Sequence, residues 1–168
     1  MSTGFIKEEL HIIRAYKVIN EGTIIAIATP AGKGAIGLIR LSGPESITKT
    51  NLFFRPKSNK SFEKLPFNKV IFGDLVINNT ILDEVLVTKF GSPNSYTGED
   101  VVEISCHGSN YILQKIVTSF IEEGIMLAKE GEFTLRAYLN KKMDLSQAEA
   151  VCDIIASESS AAHEIAIK

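Results

Sequence analysis

The period of the apolar positions changes several times along this chain, and each change predicts an element. Residues 23–29 (TIIAIAT) and 35–41 (AIGLIRL) are two β-rich runs on either side of a Pro/Gly loop, which predicts neighbouring strands. Alternation along the second run puts Ile36, Leu38 and Arg40 on one face. SGPES then predicts a helix start, with Ser42 as the cap and Pro44 in the first turn; that helix fades near Phe54 into a polar, lysine-rich loop over 55–68. KVIFGDLVI (69–77) and ILDEVLVTKF (81–90) bracket Asn78-Asn79-Thr80, a hairpin signal. The turn formers GSPNSYTG lead into GEDVVEISCHG (98–108), which predicts another strand. From Ser109 to Gly124 apolar residues recur at 112, 113, 116, 117, 120 and 121, a helical stripe closed by a C-capping glycine. Residues 125–128 predict one more short strand, and Asp144 with Gln147 resembles a capping box opening a helix at Leu145. The stripe of that helix (Leu145, Ala148, Val151, Cys152, Ile155) is still running when the sequence reaches Lys168, as expected of a fragment or of a helix that needs further partners. Residues 5–18, with Phe5, Leu10, Ile13 and Val18, predict a short amphipathic lead-in.

Composition narrows the class. The chain has 168 residues, 45% hydrophobic and 23% charged, enough for one domain with a real core or one domain plus an appendage. A net charge of −2 argues against a domain whose main work is coating nucleic acid. The two cysteines, Cys106 and Cys152, lie far apart and outside any CxxC spacing, so neither a disulfide framework nor a structural zinc is expected. No apolar run reaches the roughly 20 residues of a membrane span, and the first twenty residues lack the features of a signal peptide. A cytoplasmic protein is the expectation.

Chemistry concentrates in GEDVVEISCHG. Strand alternation puts Val101, Glu103, Ser105 and His107 on one face and Val102, Ile104 and Cys106 on the other. Cys106 and His107 therefore point apart and do not chelate one metal. Cys106 reads as a small core residue and His107 as a hydrogen-bonded histidine ending the strand. Glu103, flanked by valine and isoleucine, would be costly to bury alone, so it needs a cation or a hydrogen-bonding ligand. Arg40, beside Ile36 and Leu38, poses the mirror-image question. A mutual ion pair and a ligand site are equally open at this point. The loop ATPAGKG (28–34) lacks the GxxxxGK[ST] order and is followed by a strand, so it reads as a tight inter-strand loop. The lysines of NKKMD (140–144) read either as solvated surface or as an anchor for an anionic ligand. No GxSxG elbow supports a hydrolase triad.

Three long stretches carry a resemblance: TIIAIATPAGKGAIGLIRLSGP, SYTGEDVVEISCHG and GEFTLRAYLNKKMDLSQAEAVCDII. In this order and spacing, over residues 23 to about 160, the chain resembles the N-terminal region of the MnmE (TrmE) family of tRNA-modification GTPases. The resemblance implies an α+β fold, a mixed β-sheet with about three helices similar to tetrahydrofolate-binding domains of the glycine-cleavage aminomethyltransferase type. It divides the chain into an N-terminal extension (1–22), a folate-binding dimerisation domain (23–139) and the start of a helical domain (140–168). It further implies a homodimer that works with an FAD-containing MnmG-type partner to place a (carboxymethyl)aminomethyl-type group on the wobble uridine of tRNA, away from any membrane. The family's folate contacts fall on Arg40, Glu103 and Lys142, with 5-formyl- or 5,10-methylene-tetrahydrofolate as the ligand. No catalytic or metal-binding residue is implied within this chain. GTP, K⁺ and Mg²⁺ belong to the family's G domain, and these 168 residues contain no P-loop, no NKxD and no C-terminal cysteine motif, so the chain alone is not expected to hydrolyse GTP.

The sequence departs from the family pattern in two loops, TPAGKG for the usual TPPG[RK]G and HGS for HGG, with Ser109 in place of glycine. All three charged positions are intact. A scaffold or dimerisation module that binds no folate is the competing expectation; a free-standing folate-dependent methyltransferase, lacking an obvious candidate acid, is a weaker one.

Overall fold

A computed structural model describes residues 22–156 apart from 33 and 59. The predicted lead-in over 5–18 lies outside the described residues. Among the described residues seven strands form one sheet: β1 (Ile24–Ile27), β2 (Ile36–Ser42), β3 (Phe54–Pro56), β4 (Ile71–Ile77), β5 (Thr80–Phe90), β6 (Val101–His107) and β7 (Met126–Leu127). Their order is β3-β4-β5-β6-β2-β1-β7. Every pairing is antiparallel except β1 with β7, so the sheet is mixed. Four α-helices among the described residues join it: α1 (Ser46–Phe53), α2 (Asn110–Glu122), α3 (Glu132–Leu139) and α4 (Leu145–Ala156). This is the α+β architecture expected.

The two faces of the sheet differ because alternate residues along each strand differ. On one face Ile25, Ile39, Leu41, Val85, Val87, Val102, Ile104 and Cys106 are buried, together with the α2 stripe Leu113, Ile116, Val117 and Phe120. α1 adds Phe53, whose ring meets Phe120 edge-on at 4.9 Å between centroids. Burial of this set supplies most of the driving force for folding, at roughly 25 cal/mol per Å² of apolar surface removed from water. The β4–β5 hairpin turns at Asn78 and Asn79, both at positive φ (51° and 60°), the geometry a two-residue turn between twisted strands requires.

Several local expectations are corrected. Ser42 does not cap a helix: it ends β2, its hydroxyl engages Thr97 and Glu99, and α1 begins four residues later behind Glu45, with no side-chain cap. The 55–68 segment is not all solvated loop. It contributes β3 and a buried Phe62, held from below by Lys89, whose ammonium donates to the Phe62 and Glu63 carbonyls (2.9 and 2.7 Å) and lies over the Phe62 and Phe67 rings. The apolar period does not mark α3, whose buried residues are Glu132, Arg136 and Ala137 rather than an apolar stripe. The capping box of α4 forms as expected: Asp144 N–H donates to Gln147 Oε1 and Gln147 N–H to Asp144 Oδ1, at 2.9 and 2.8 Å. Its stripe is not buried, with Leu145 and Ile155 largely exposed. No helix among the described residues is long and apolar enough to cross a membrane.

Candidate ligand site on the open sheet face

The second face of the sheet carries the candidate chemistry. In register across it run Ala26 (β1), Arg40 (β2), Glu103 (β6) and Thr88 (β5), and beside them Leu38, Ser105, Leu86 and Phe72. The direct pairing of Arg40 with Glu103 follows from the antiparallel β2–β6 register, so the two charges meet without any long-range adjustment. Arg40 Nε donates to Glu103 Oε1 at 2.9 Å, and Nη2 reaches the same oxygen at 2.7 Å. Both side chains are a quarter exposed. A cross-strand pair of this exposure contributes on the order of 0.2–1 kcal/mol. The mutual ion pair left open by the sequence therefore exists. It also leaves acceptor capacity unused, because Glu103 Oε2 receives no hydrogen bond from any described residue.

Two aromatic rings lie against Arg40. The Arg40 guanidinium carbon lies 5.3 Å from the Tyr96 ring centroid and 5.7 Å from that of Phe133. Tyr96 comes from the 91–100 loop and Phe133 from α3, and the Tyr96 hydroxyl is 2.9 Å from Thr134 Oγ1. Lys142, the third residue implied by the resemblance, does not touch Arg40 or Glu103. Its ammonium donates to the Pro93 carbonyl at 2.9 Å, and its stem lies against Gly98, so it joins the site through the loop that carries Tyr96. Gly98 sits at φ +77°, and a Cβ there would come within 3.1 Å of Asn140 Cβ and 3.2 Å of Lys142 Cγ. Lys142 also borders an open cleft of about 500 Å³ with Tyr138, Met143 and Gln147.

The rest of the signature stretch falls into structural roles. Cys106 is buried on the helix-covered face, and its desolvated thiol is pushed up to about 11, chiefly by burial and secondarily by the Asp83 charge. His107 is mostly exposed at the strand end; its Nδ1 lies 2.6 Å from Asp83 Oδ1, and its backbone N–H donates to Asp83 Oδ2 at 2.8 Å. Cys106 and His107 thus lie on opposite faces. Among the described residues no group of three or more His, Cys, Asp or Glu is arranged to hold a metal ion.

Sequence reasoning missed Tyr96, Phe133, Glu99, Asp83 and Arg136. Arg136 is buried, and it donates to Glu132 Oε1 (3.0 Å), Glu99 Oε2 (3.1 Å) and the Gly22 carbonyl (2.9 Å). The Glu132–Arg136 spacing of i, i+4 was a readable helix signal. Nothing in the local pattern marks the partner Glu99, which lies 37 residues away in sequence.

A family model described as the N-terminus of the GTP-binding protein TrmE matches residues 23–142, which include every residue of the Arg40–Glu103 site and Lys142. The chain is 51% identical over 151 residues to the tRNA modification GTPase MnmE of Flavobacterium johnsoniae, covering 90% of this chain and 32% of that protein. It is 53% identical over 150 residues to the MnmE of Bacteroides fragilis, covering 89% and 32%. Against the MnmE of Clostridioides difficile it is 46% identical over 146 residues, covering 87% and 32%. The chain spans about a third of the length of these relatives. With the family model covering most of its residues and the α+β fold in agreement, the chain belongs to the TrmE N-terminal family.

Proposed function

We propose that this chain is the folate-binding, dimer-forming N-terminal part of a tRNA-modification GTPase. The observation that carries the folate reading is the Arg40–Glu103 pair, an ion pair a quarter exposed, with Arg40 against two aromatic rings and Glu103 Oε2 unused. A pterin edge presents an amino and an imino N–H side by side, which suits a carboxylate with a free oxygen by the same two-point logic as Arg–carboxylate pairing. Arg40 Nη1, which has no acceptor among the described residues, is free for a ligand carbonyl. Lys142 would meet the carboxylates of the glutamate tail once it releases the Pro93 carbonyl. In this reading 5-formyl- or 5,10-methylene-tetrahydrofolate supplies the one-carbon unit, and the protein binds and orients it without a catalytic residue of its own.

The same open face supports a homodimer. Ile36, Val70, Phe72 and Leu86 are exposed there, and a second copy is the occupant the family resemblance implies. The larger assembly follows the same reading: a G domain binding GTP with K⁺ and Mg²⁺ outside these 168 residues, an FAD-containing MnmG-type partner, tRNA wobble uridine as the modified group, and a cytoplasmic setting. Two experiments test the proposal. Calorimetric titration with 5-formyltetrahydrofolate should show binding that Arg40→Ala and Glu103→Gln each weaken at least tenfold. Unchanged affinity in both variants would remove the site assignment, and no binding by the unmodified chain would favour a scaffold that binds no folate. Light scattering should give a dimer that Phe72→Asp converts to a monomer; a monomeric unmodified chain at high concentration would overturn the dimer.

A further inference from the structure

The residue that ties the site together touches neither Arg40 nor Glu103. Arg136 is 4% exposed and lies within α3, three residues after Phe133. Its guanidinium joins three segments distant in sequence: Glu132 on its own helix, Glu99 in the 91–100 loop, and the Gly22 carbonyl at the entry to β1. Glu99 in turn accepts from Ser42 Oγ at 2.7 Å, and Ser42 Oγ is 2.7 Å from Thr97 Oγ1, which extends the network to the end of β2, the strand that carries Arg40. Asn140 Nδ2 donates to the Thr97 carbonyl at 2.8 Å, a second tie between α3 and the loop. Arg136 Nε remains buried with no partner, so this guanidinium is held by its far end alone. A buried arginine between two carboxylates is a demanding arrangement to maintain, and an apolar residue would serve packing as well. What it achieves here is geometric. Tyr96 lies in the loop that Glu99 anchors and Phe133 on the helix that Arg136 belongs to, and these are the two rings that meet over Arg40.

We propose that Arg136 is the positioning residue of the Arg40–Glu103 site: through Glu99 it fixes the 91–100 loop to α3 and so sets Tyr96 and Phe133 against the ion pair. This rests on the folate reading for its ligand, but its structural readout is independent of ligand. The chain has no tryptophan and four tyrosines, so near-UV circular dichroism reports tyrosine environments, and the difference between the unmodified chain and Tyr96→Phe isolates the Tyr96 share. The test compares Arg136→Met, Arg136→Lys and Glu99→Gln for thermal unfolding, the Tyr96 signal, and affinity for 5-formyltetrahydrofolate. The expected result is that folded Arg136→Met loses the Tyr96 signal and binds at least tenfold more weakly, with Arg136→Lys recovering part of both. Should Arg136→Met fail to fold, Glu99→Gln decides, with at least a threefold loss of affinity and a reduced Tyr96 signal expected. A folded Arg136→Met, or failing that Glu99→Gln, that keeps both the Tyr96 signal and full affinity overturns the proposal. If the unmodified chain binds no folate, it is the folate reading that fails, and the positioning role is decided by the Tyr96 signal alone.

Discussion

The helix-covered and open faces of this sheet are built from alternate residues of the same strands, yet they divide the work of the molecule. Along β6, Val102, Ile104 and Cys106 are sealed beneath α1 and α2, while Glu103, Ser105 and His107 face outward. One face holds the fold together by exclusion of water. The other keeps an ion pair a quarter exposed, with Arg40 against two rings, where it adds little to stability and leaves an acceptor free. A one-residue slip of β6 would exchange the two roles, so the register that stabilises the core also places the site.

That division predicts mutational effects of very different size. The largest belongs to the covered face: Phe120→Ala removes a ring that is 1% exposed and packed on Phe53, and should cost about 3–5 kcal/mol in denaturant unfolding. The next is alkaline. The folded Cys106 thiol titrates at about 11 against a usual 9.0, so its contribution is intact below pH 9 and is lost as pH rises toward 11. That contribution is on the order of 2–3 kcal/mol, and Cys106→Ala should remove that part of the slope. Lys89 acts with the opposite sign: burial lowers its ammonium pKa, so its cost is present at low pH and is relieved as pH rises toward 10.5. The difference between the Cys106→Ala and unmodified curves, rather than either curve alone, isolates the thiol.

Much of this contrast was legible in the sequence, and the part that was not has a physical reason. The faces of β2 and β6 followed from period-two alternation, which depends only on the residues of each strand, and that was enough to single out Arg40 and Glu103. The pairing of the two depends on β2 lying beside β6, sixty-three residues away, and strand order is not written in either segment. Ser42 misled because a serine before a glycine-proline turn resembles a helix cap; it serves instead as a hydroxyl donor to Glu99. Phe62 and Lys89 went unread as a unit because a lysine in a strand normally marks a solvated position, and here its ammonium is satisfied by two carbonyls and two rings. Lys142 reached the site's loop but not its ion pair, since the turn after α3 aims it at Pro93.

The smallest effect on stability should come from the rim of the open face. Phe72→Asp, at a half-exposed position, should shift the unfolding free energy of the monomer by less than about 0.5 kcal/mol while acting on association. Between the extremes stands Glu103→Gln, whose partner Arg40 keeps solvent access and its ring contacts, and which should cost under about 1 kcal/mol.

The central claim is that the open face binds and the covered face stabilises, and Glu103→Gln tests it most directly when affinity and unfolding are measured on the same preparation. The account predicts at least a tenfold weaker hold on 5-formyltetrahydrofolate with the unfolding free energy within about 1 kcal/mol of the unmodified chain. Full affinity in the variant, or a loss of affinity matched by a collapse in stability, would contradict it.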